Sequence, residues 1–461
     1  MRYGGILEVM KKKVNAIIII ILLLLVVFSV IGFYGFLYSN TKKWTKFVYP
    51  GVKVGEIDIS GKTLAEAKDM VTKTYGVGIL KKNINVKTPT KTYSLDYRKI
   101  NARYNIDEVV GKAFDYGKNI SLYEKYNLIK KPVLKEFNLK FIYDPKPINQ
   151  LIDNIKKEIE LVPENGSISL ISGKFIITPD EKGFKLIDDK LEKEILTKID
   201  GNLKAPDIVV VAEIKTILPN ITKEKLQTVN TKLSSFSSDF TTSSYERSTN
   251  IILATKILNG TLLMPGESFS FNGKVGQRTI AKGYQPAPVD IGTKVGLDYG
   301  GGICQVSTAL YNSVIRANIK STERHHHSIP STYIPLGMDA TVDWGNLDYK
   351  FTNTLQYPVF IESIVQNKIL TFNIYSNSSL TNKTYNLVNE IYETVQPGPT
   401  KYIYDPTLLV GETIQEQFPL IGYKVRVYKN TIENGKVIEH QQISDDQYKV
   451  KDEVIRKGGK L

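Results

Sequence analysis

The chain of 461 residues has one cysteine, Cys304, so no disulfide can form within it and no cysteine-only metal cage can be built. Histidine is nearly as scarce: four residues, three of them consecutive at His325, His326 and His327, the fourth at His440. With only 19 prolines and 42% hydrophobic residues, extensive disorder is excluded. Zinc-finger spacing, an RNP signature and interleaved aromatic and basic residues are all missing, so nucleic acid is set aside as a partner. Strong charge of one sign is also lacking beyond the N-terminus. Of the net +14, +6 falls in residues 1–46, where Arg2, Lys11, Lys12, Lys13, Lys42, Lys43 and Lys46 face only Glu8. The modestly basic remainder suits a polyanionic surface such as lipid headgroups or teichoic acids.

What is present begins with an uncharged run, AIIIIILLLLVVFSVIGFYGFL, over residues 16–37. A helix needs about 20 such residues to cross a bilayer. The run is longer than the apolar core of a cleaved signal and no small-residue cleavage site follows it, so a retained anchor is expected. Residues 1–15 are expected as a cytoplasmic tail, 16–37 as a transmembrane helix, and the C-terminal domains outside the cytoplasmic membrane. An unpaired thiol kept in that non-reducing compartment suggests use.

So long a chain exceeds one hydrophobic core, and several domains in series are expected. The overall class is α+β and multidomain. Residues 46–135 open with a strand-like VGEIDISG and a helix at TLAEAKDMVTKTY, where Thr63 and Glu66 have the spacing of a capping box. Residues 136–217 carry a helix near PINQLIDNIKKEIEL, strands SISLIS and KFIITP around a Ser-Gly-Lys turn, and a helix near LIDDKLEKEILTKI. Neither segment holds a catalytic constellation, and both are read as mixed α/β binding domains. Residues 218–375 form a β-rich α+β catalytic domain, with PNITKEKLQTVNTKLSSF as a linker into helix. Next comes a helix after Glu246 that buries Ile252, Thr255, Ile257 and Leu258 and ends at Gly260. Residues 376–461 are expected as a small all-β module with a turn at Glu433-Asn434-Gly435.

The strongest chemical signal is Asp298-Tyr299-Gly300-Gly301-Gly302-Ile303-Cys304-Gln305-Val306-Ser307. Val306, Ala309, Leu310, Val314 and Ala317 then recur at helical spacing, so Cys304 sits at a helix start. Unpaired N–H groups there stabilise negative charge on sulfur and can hold an oxyanion, while the glycines admit a substrate carbonyl. The bland alternative is a small buried cysteine beside a packing turn. A base is supplied only by Glu323-Arg324-His325-His326-His327-Ser328. On an extended strand His325 and His327 share a face, and either can reach Cys304. Arg324 suits a substrate carboxylate, with an ordinary ion pair to Glu323 or Asp339 as the alternative. Asp339 or Asp343 can orient the imidazole.

GESFSFN, GGGICQVSTALYN, ERHHHS and YIPLGMDATVDW together resemble the VanW domain over roughly residues 235–375. The stretch PGVKVGEIDISGKTLAEA resembles the peptidoglycan-binding domains that commonly precede it, and the chain end resembles the G-five wall module. The resemblance implies a Gram-positive envelope protein and, for some members, an L,D-transpeptidase acting through the cysteine of the block. Carried over, that cysteine is Cys304 and the histidine before serine is His327, with His325 ranked next and His326 last. Gly301, Gly302, Ile303, Gln305, Arg324, Ser328 and Tyr333 are the expected substrate and oxyanion contacts.

The expected reaction joins peptidoglycan stem peptides by 3-3 cross-links. Cys304 takes the acyl group of a tetrapeptide stem as a thioester, D-alanine leaves, and His327 acts as base and acid. No metal or cofactor is called for. Two alternatives are a zinc-dependent hydrolase using Cys304, His325, His327 and an aspartate, and a non-catalytic wall-binding scaffold.

Overall fold

The computed structural model describes residues 4–291 and 294–459. Residues 1–3 of the expected tail, 292–293 of the expected catalytic domain and 460–461 of the last module lie outside the described residues.

Gly4–Lys42 is one helix of 39 residues. Its apolar window has a mean hydropathy of 3.4 and none of that window is buried, so it is long and apolar enough to cross a membrane by length and composition.

The chain divides into two compact units, one of residues 1–162 with 183–217, the other of 163–182 with 218–461. The first unit contains two hydrophobic cores that interleave along the sequence. Val52, Val54, Ala67 and Val71 pack with Val109, Val110 and Ala113. Ile84, Val86 and Leu95 pack instead with Ile148, Ile152, Ile155, Leu191 and Ile195, so a cut between residues 135 and 136 does not separate the cores. The amphipathic helices follow from spacing: Ile148, Ile152 and Ile155 are the buried face of Lys146–Ile159. Thr63 caps Leu64–Val71, accepting from the Glu66 N–H while Glu66 accepts from the Thr63 N–H at 2.8 Å. Asn83–Lys87 pairs antiparallel with Thr92–Asp96 and parallel with Ile208–Val211.

The second unit is mixed α and β and β-rich toward its C-terminus. Its main sheet is antiparallel, in the order Thr231–Asp239, Ile369–Ser376, Val359–Gln366, Thr261–Leu263. The expected linker into helix is corrected here. A five-residue helix, Lys223–Gln227, is followed by strand Thr231–Asp239. The Ser167–Ile171 and Lys174–Thr178 hairpin, turning at Ser172 and Gly173, belongs to this unit, with the Phe175 ring against Phe360 and Tyr375. Helix Tyr245–Leu258 buries Asn250, Ile251, Ala254, Thr255 and Leu258. Ile252 and Ile257, expected inside, are 45% and 37% exposed.

Helix Ile303–Arg316 is buried on nearly every side. Its polar residues are therefore satisfied internally, as burial requires. Ser313 Oγ donates to Phe372 O at 3.0 Å, and Ser307 Oγ donates to Ala340 O at 2.6 Å. A three-stranded sheet (Lys383–Val395, Gly422–Glu433, Lys436–Tyr448) ends the unit with a smaller second sheet. The C-terminal β-region is not a free appendage, because Leu387 and Val427 belong to the same core as the Ile303–Arg316 helix.

Candidate active site

Cys304 is the second residue of its helix, after Gly302 at the N-cap with φ +97°. That left-handed backbone favours glycine. A Cβ on Gly301 would lie 2.8 Å from Ala287 backbone atoms, so the loop packs closely there. Asn250 fixes the loop: its Nδ2 donates to Gly301 O at 3.0 Å and to Gln285 O at 2.8 Å, and its Oδ1 accepts from the Gln285 N–H at 2.8 Å.

The opposite wall is residues 338–343, gripped by the polar face of the same helix. Asn312 Nδ2 donates to Met338 O at 2.7 Å, and the Ala340 N–H donates to Thr308 Oγ1 at 3.0 Å. This grip puts Val342 O 3.4 Å from Cys304 Sγ, whose S–H donates to it. It also sets Asp339, 1% exposed, beneath His327. His327 Nδ1 lies 2.6 Å from Asp339 Oδ2, and the His327 backbone N–H donates to the same oxygen at 2.6 Å. The imidazole also lies within electrostatic reach of Cys304. With Nδ1 on Asp339, Nε2 faces Tyr333 OH at 3.4 Å. His327 and Asp339 are therefore hydrogen-bonded to each other within electrostatic reach of Cys304, with Tyr333 alongside.

The charges in that group are strongly biased. Burial pulls His327 toward the neutral form, but its hydrogen bond to Asp339 and the charges of Asp339 and Cys304 outweigh it and push its pKa up to about 10. Burial raises the Asp339 carboxyl, yet His327, Arg324 and the Tyr448 hydroxyl hold it down at about 2. Burial pushes the Tyr333 phenol up, so it keeps its proton.

Other expected residues fall elsewhere. The strand ends at Glu323, so the alternation argument does not reach the histidines. His325 is turned to Glu323, 3.3 Å from Oε1, and His326 packs edge-on to Tyr448. The set Cys304, His325, His327 and aspartate weighed for zinc is thus not assembled, and no cluster of three metal-ligating side chains occurs among the described residues. Asp343 caps a turn, accepting from Asn346 Nδ2 at 2.6 Å.

Arg324 is corrected as a substrate clamp. Its Nε donates to Asp339 O, Nη1 to both Asp446 oxygens, and Nη2 to Gly337 O and Asp339 Oδ1, which uses every N–H of the guanidinium. Gln305, 1% exposed, is also structural, donating to Ser238 Oγ and Asp239 O at 2.8 Å. Among the oxyanion candidates, the N–H groups of Gly301, Ile303 and Gln305 are committed to Asp298 O, Gly300 O and Gly302 O. Those of Gly302 and Cys304 have no backbone partner among the described residues. Ser328 is exposed, its carbonyl accepting from the Lys449 N–H at 2.7 Å.

Sequence reasoning missed Asn250, Asp446 and Tyr448. Tyr448 OH donates to Asp339 Oδ1 at 2.6 Å across 109 residues of chain, and accepts from the Gly337 N–H at 2.7 Å. The triad carboxylate is therefore held from the C-terminal sheet, by Tyr448 directly and by Asp446 through Arg324.

Family models match three stretches: "VanW like protein" at residues 246–375, "Putative peptidoglycan binding domain" at 93–207 and "G5 domain" at 388–460. The Bacillus subtilis (strain 168) "Uncharacterized protein YoaR" is 30% identical over 241 residues, covering 52% of this chain and 78% of that protein. The Enterococcus faecalis (strain ATCC 700802 / V583) "Vancomycin B-type resistance protein VanW" is 32% identical over 109 residues, covering 23% of this chain and 40% of that one. Among solved structures, an IgA1 protease G5 domain is 16% identical and covers 17% of this chain and 94% of that one, with a TM-score of 0.14. The corresponding values for HP0197-G5 are 26%, 16% and 95%, with a TM-score of 0.11. Domain order and sequence agree, and the chain belongs to the VanW-like family of cell-wall-associated, peptidoglycan-binding envelope proteins.

Proposed function

We propose that this protein is a single-pass membrane-anchored L,D-transpeptidase whose nucleophile is Cys304. The observation that carries the reading is the Asp339–His327 hydrogen bond within electrostatic reach of a sulfur at the start of a buried helix. A His327 that holds its proton at neutral pH acts first as an acid. The Cys304 thiol, hydrogen-bonded to Val342 O at rest, gives its proton to solvent before it attacks.

The thiolate attacks the carbonyl carbon after the third residue of a tetrapeptide stem, and the N–H groups of Cys304 and Gly302 receive the oxyanion. The carbon–nitrogen bond to the terminal D-alanine breaks as the His327 proton passes to the leaving nitrogen, leaving a thioester. The side-chain amine of a neighbouring stem then attacks that thioester. Its proton goes to His327, the carbon–sulfur bond breaks, and a 3-3 cross-link, the thiolate and the imidazolium result. Tyr333 keeps the ring edge of His327 in a polar contact throughout. Gly4–Lys42 anchors the chain, and the peptidoglycan-binding and G5 regions hold it on the wall polymer.

The full-length chain in detergent, incubated with disaccharide tetrapeptide, should yield a dimer lacking one D-alanine by mass spectrometry. The Cys304→Ser chain should yield none, a loss of at least about 10³-fold. A tripeptide monomer in place of the dimer marks water as the acceptor. Equal product from wild type and Cys304→Ser contradicts the proposal, and so does unchanged substrate with both.

A further inference from the structure

Two cations near Cys304 take no part in the triad, and neither has an acidic partner at ion-pair distance among the described residues. In Arg278, Nε, Nη1 and Nη2 are all buried without a hydrogen-bond partner among the described residues. The guanidinium stands 5.7 Å from the Phe271 ring centroid. A buried charge left in this way is strongly unfavourable until an anion completes it. The carboxylates in electrostatic range, Asp343 and Asp348, are bound elsewhere. Asp343 accepts from Asn346, and Asp348 accepts from Ser270 Oγ at 2.5 Å and from the Asn272 and Tyr349 N–H groups.

Two paths of contact bring Arg278 to the sulfur. Phe271 precedes Asn272, whose Nδ2 donates to Asp343 O at 3.1 Å, one residue after the Val342 carbonyl that touches Cys304. Tyr284, in electrostatic contact with Arg278 and with its own hydroxyl buried and unpartnered, precedes the Gln285 that Asn250 ties to Gly301. Cys304 lies within electrostatic range of the Arg278 guanidinium. Arg247 approaches from the other direction: a Cβ on Gly302 would stand 3.1 Å from its Cγ. Its Nη1 donates only to the neutral Ser243 Oγ, at 2.6 Å, and its charge is felt by Cys304.

We propose that Arg278, seconded by Arg247, is a carboxylate-binding element beside Cys304 that seats a carboxylate of the donor stem peptide. The planar guanidinium fork matches a carboxylate in two parallel hydrogen bonds. This element replaces Arg324, whose donors are spent inside the protein. The proposal rests on Cys304 being the acyl-accepting nucleophile, and it is tested by a reaction that needs no turnover.

Alkylation of Cys304 in the full-length chain is followed with iodoacetate and with neutral iodoacetamide. The rate ratio of anionic to neutral reagent should exceed that of free cysteine by about tenfold or more, the effect of a local cationic site. In Arg278→Met it should fall to the free-thiol ratio, and in Arg247→Met partway. A wild-type ratio no higher than that of free cysteine, or one unchanged in Arg278→Met, overturns the element while leaving the nucleophile intact. A thiol inert to both reagents removes the nucleophile, and the element with it. If Arg278→Met lacks a cooperative thermal transition, the wild type decides. A tetrapeptide with free carboxylates should slow iodoacetamide and its fully amidated form should not, whereas equal protection by both overturns the proposal.

Discussion

A His327→Gln chain is expected to lose cross-linking activity by about 10²–10⁴-fold, the usual contribution of a positioned acid and base. The loss should lie in turnover, since in the proposed reaction the ring exchanges protons with the leaving nitrogen and the attacking amine and does not bind the stem. The substitution also removes a pH signature. The folded pKa of His327, raised to about 10, lies above the ordinary 6.5. Protonation therefore favours the folded state, and this stabilisation is fully present below pH 6.5 and disappears as the pH rises from there to 10. The shift corresponds to a contribution on the order of 5 kcal/mol. Urea unfolding of wild type and His327→Gln should show a stability gap that is widest near pH 6 and closes toward pH 10. A gap that is constant with pH would mean that the ring is not held as an imidazolium.

Asp339→Asn should act on both turnover and folding. The carboxylate accepts from His327 twice, from Tyr448 and from Arg324 while almost wholly buried. An amide offers one acceptor and turns its own donor toward at least one of these groups. By analogy with other triads, loss of the carboxylate leaves the imidazole in the wrong tautomer and lowers turnover by up to about 10⁴-fold. Removing one partner of a buried ionic network also costs about 3–5 kcal/mol. The sign with pH is opposite to that of His327. The carboxyl is depressed to about 2 from 3.8, so its stabilisation is present above pH 3.8 and is lost as the pH falls toward 2. Wild type and Asp339→Asn should thus converge in acid. Tyr448→Phe deletes one hydrogen bond to the same carboxylate, worth about 1.5–3 kcal/mol. As a positioning residue Tyr448 should move kcat and the alkaline limb of the rate profile while leaving KM unchanged. Unaltered kinetics in a folded Tyr448→Phe chain would make its contact with Asp339 purely architectural.

The local parts of this site are legible in the sequence, and the distant parts are not. Three glycines before a cysteine and an apolar stripe after it specify a thiol at a helix start, and only one stretch of the chain offers a histidine nearby. The partners of Arg324 and Asp339 are 122 and 109 residues away, at Asp446 and Tyr448, in a β-rich segment whose alternation says nothing about docking. Arg324 looked available because its ion pairs are set by tertiary structure.

Strand Thr231–Asp239 was hidden for a different reason. Its inner positions include Ser234 and Ser238, which carry no apolar signal. Ser238 is buried and Ser234 half-buried at low cost because Ser234 Oγ donates to Ser313 O at 2.6 Å and Ser238 Oγ accepts from Gln305. The Tyr245–Leu258 helix misled in the same manner. Its inward face is led by Asn250, a polar residue occupied in holding Gly301, while Ile252 and Ile257 face outward. Arg247 and Arg278 carry no motif at all, and the lack of an ion-pair partner among the described residues is what singles them out.

The proposed reaction runs through a covalent bond to one sulfur. Full-length protein quenched in acid within its first turnover of disaccharide tetrapeptide should gain the mass of the disaccharide tripeptide acyl group, located on Cys304 by peptide mapping and released by hydroxylamine. Dimer formation with an unmodified Cys304 at every time point, or the same adduct mass on the Cys304→Ala chain, would contradict it.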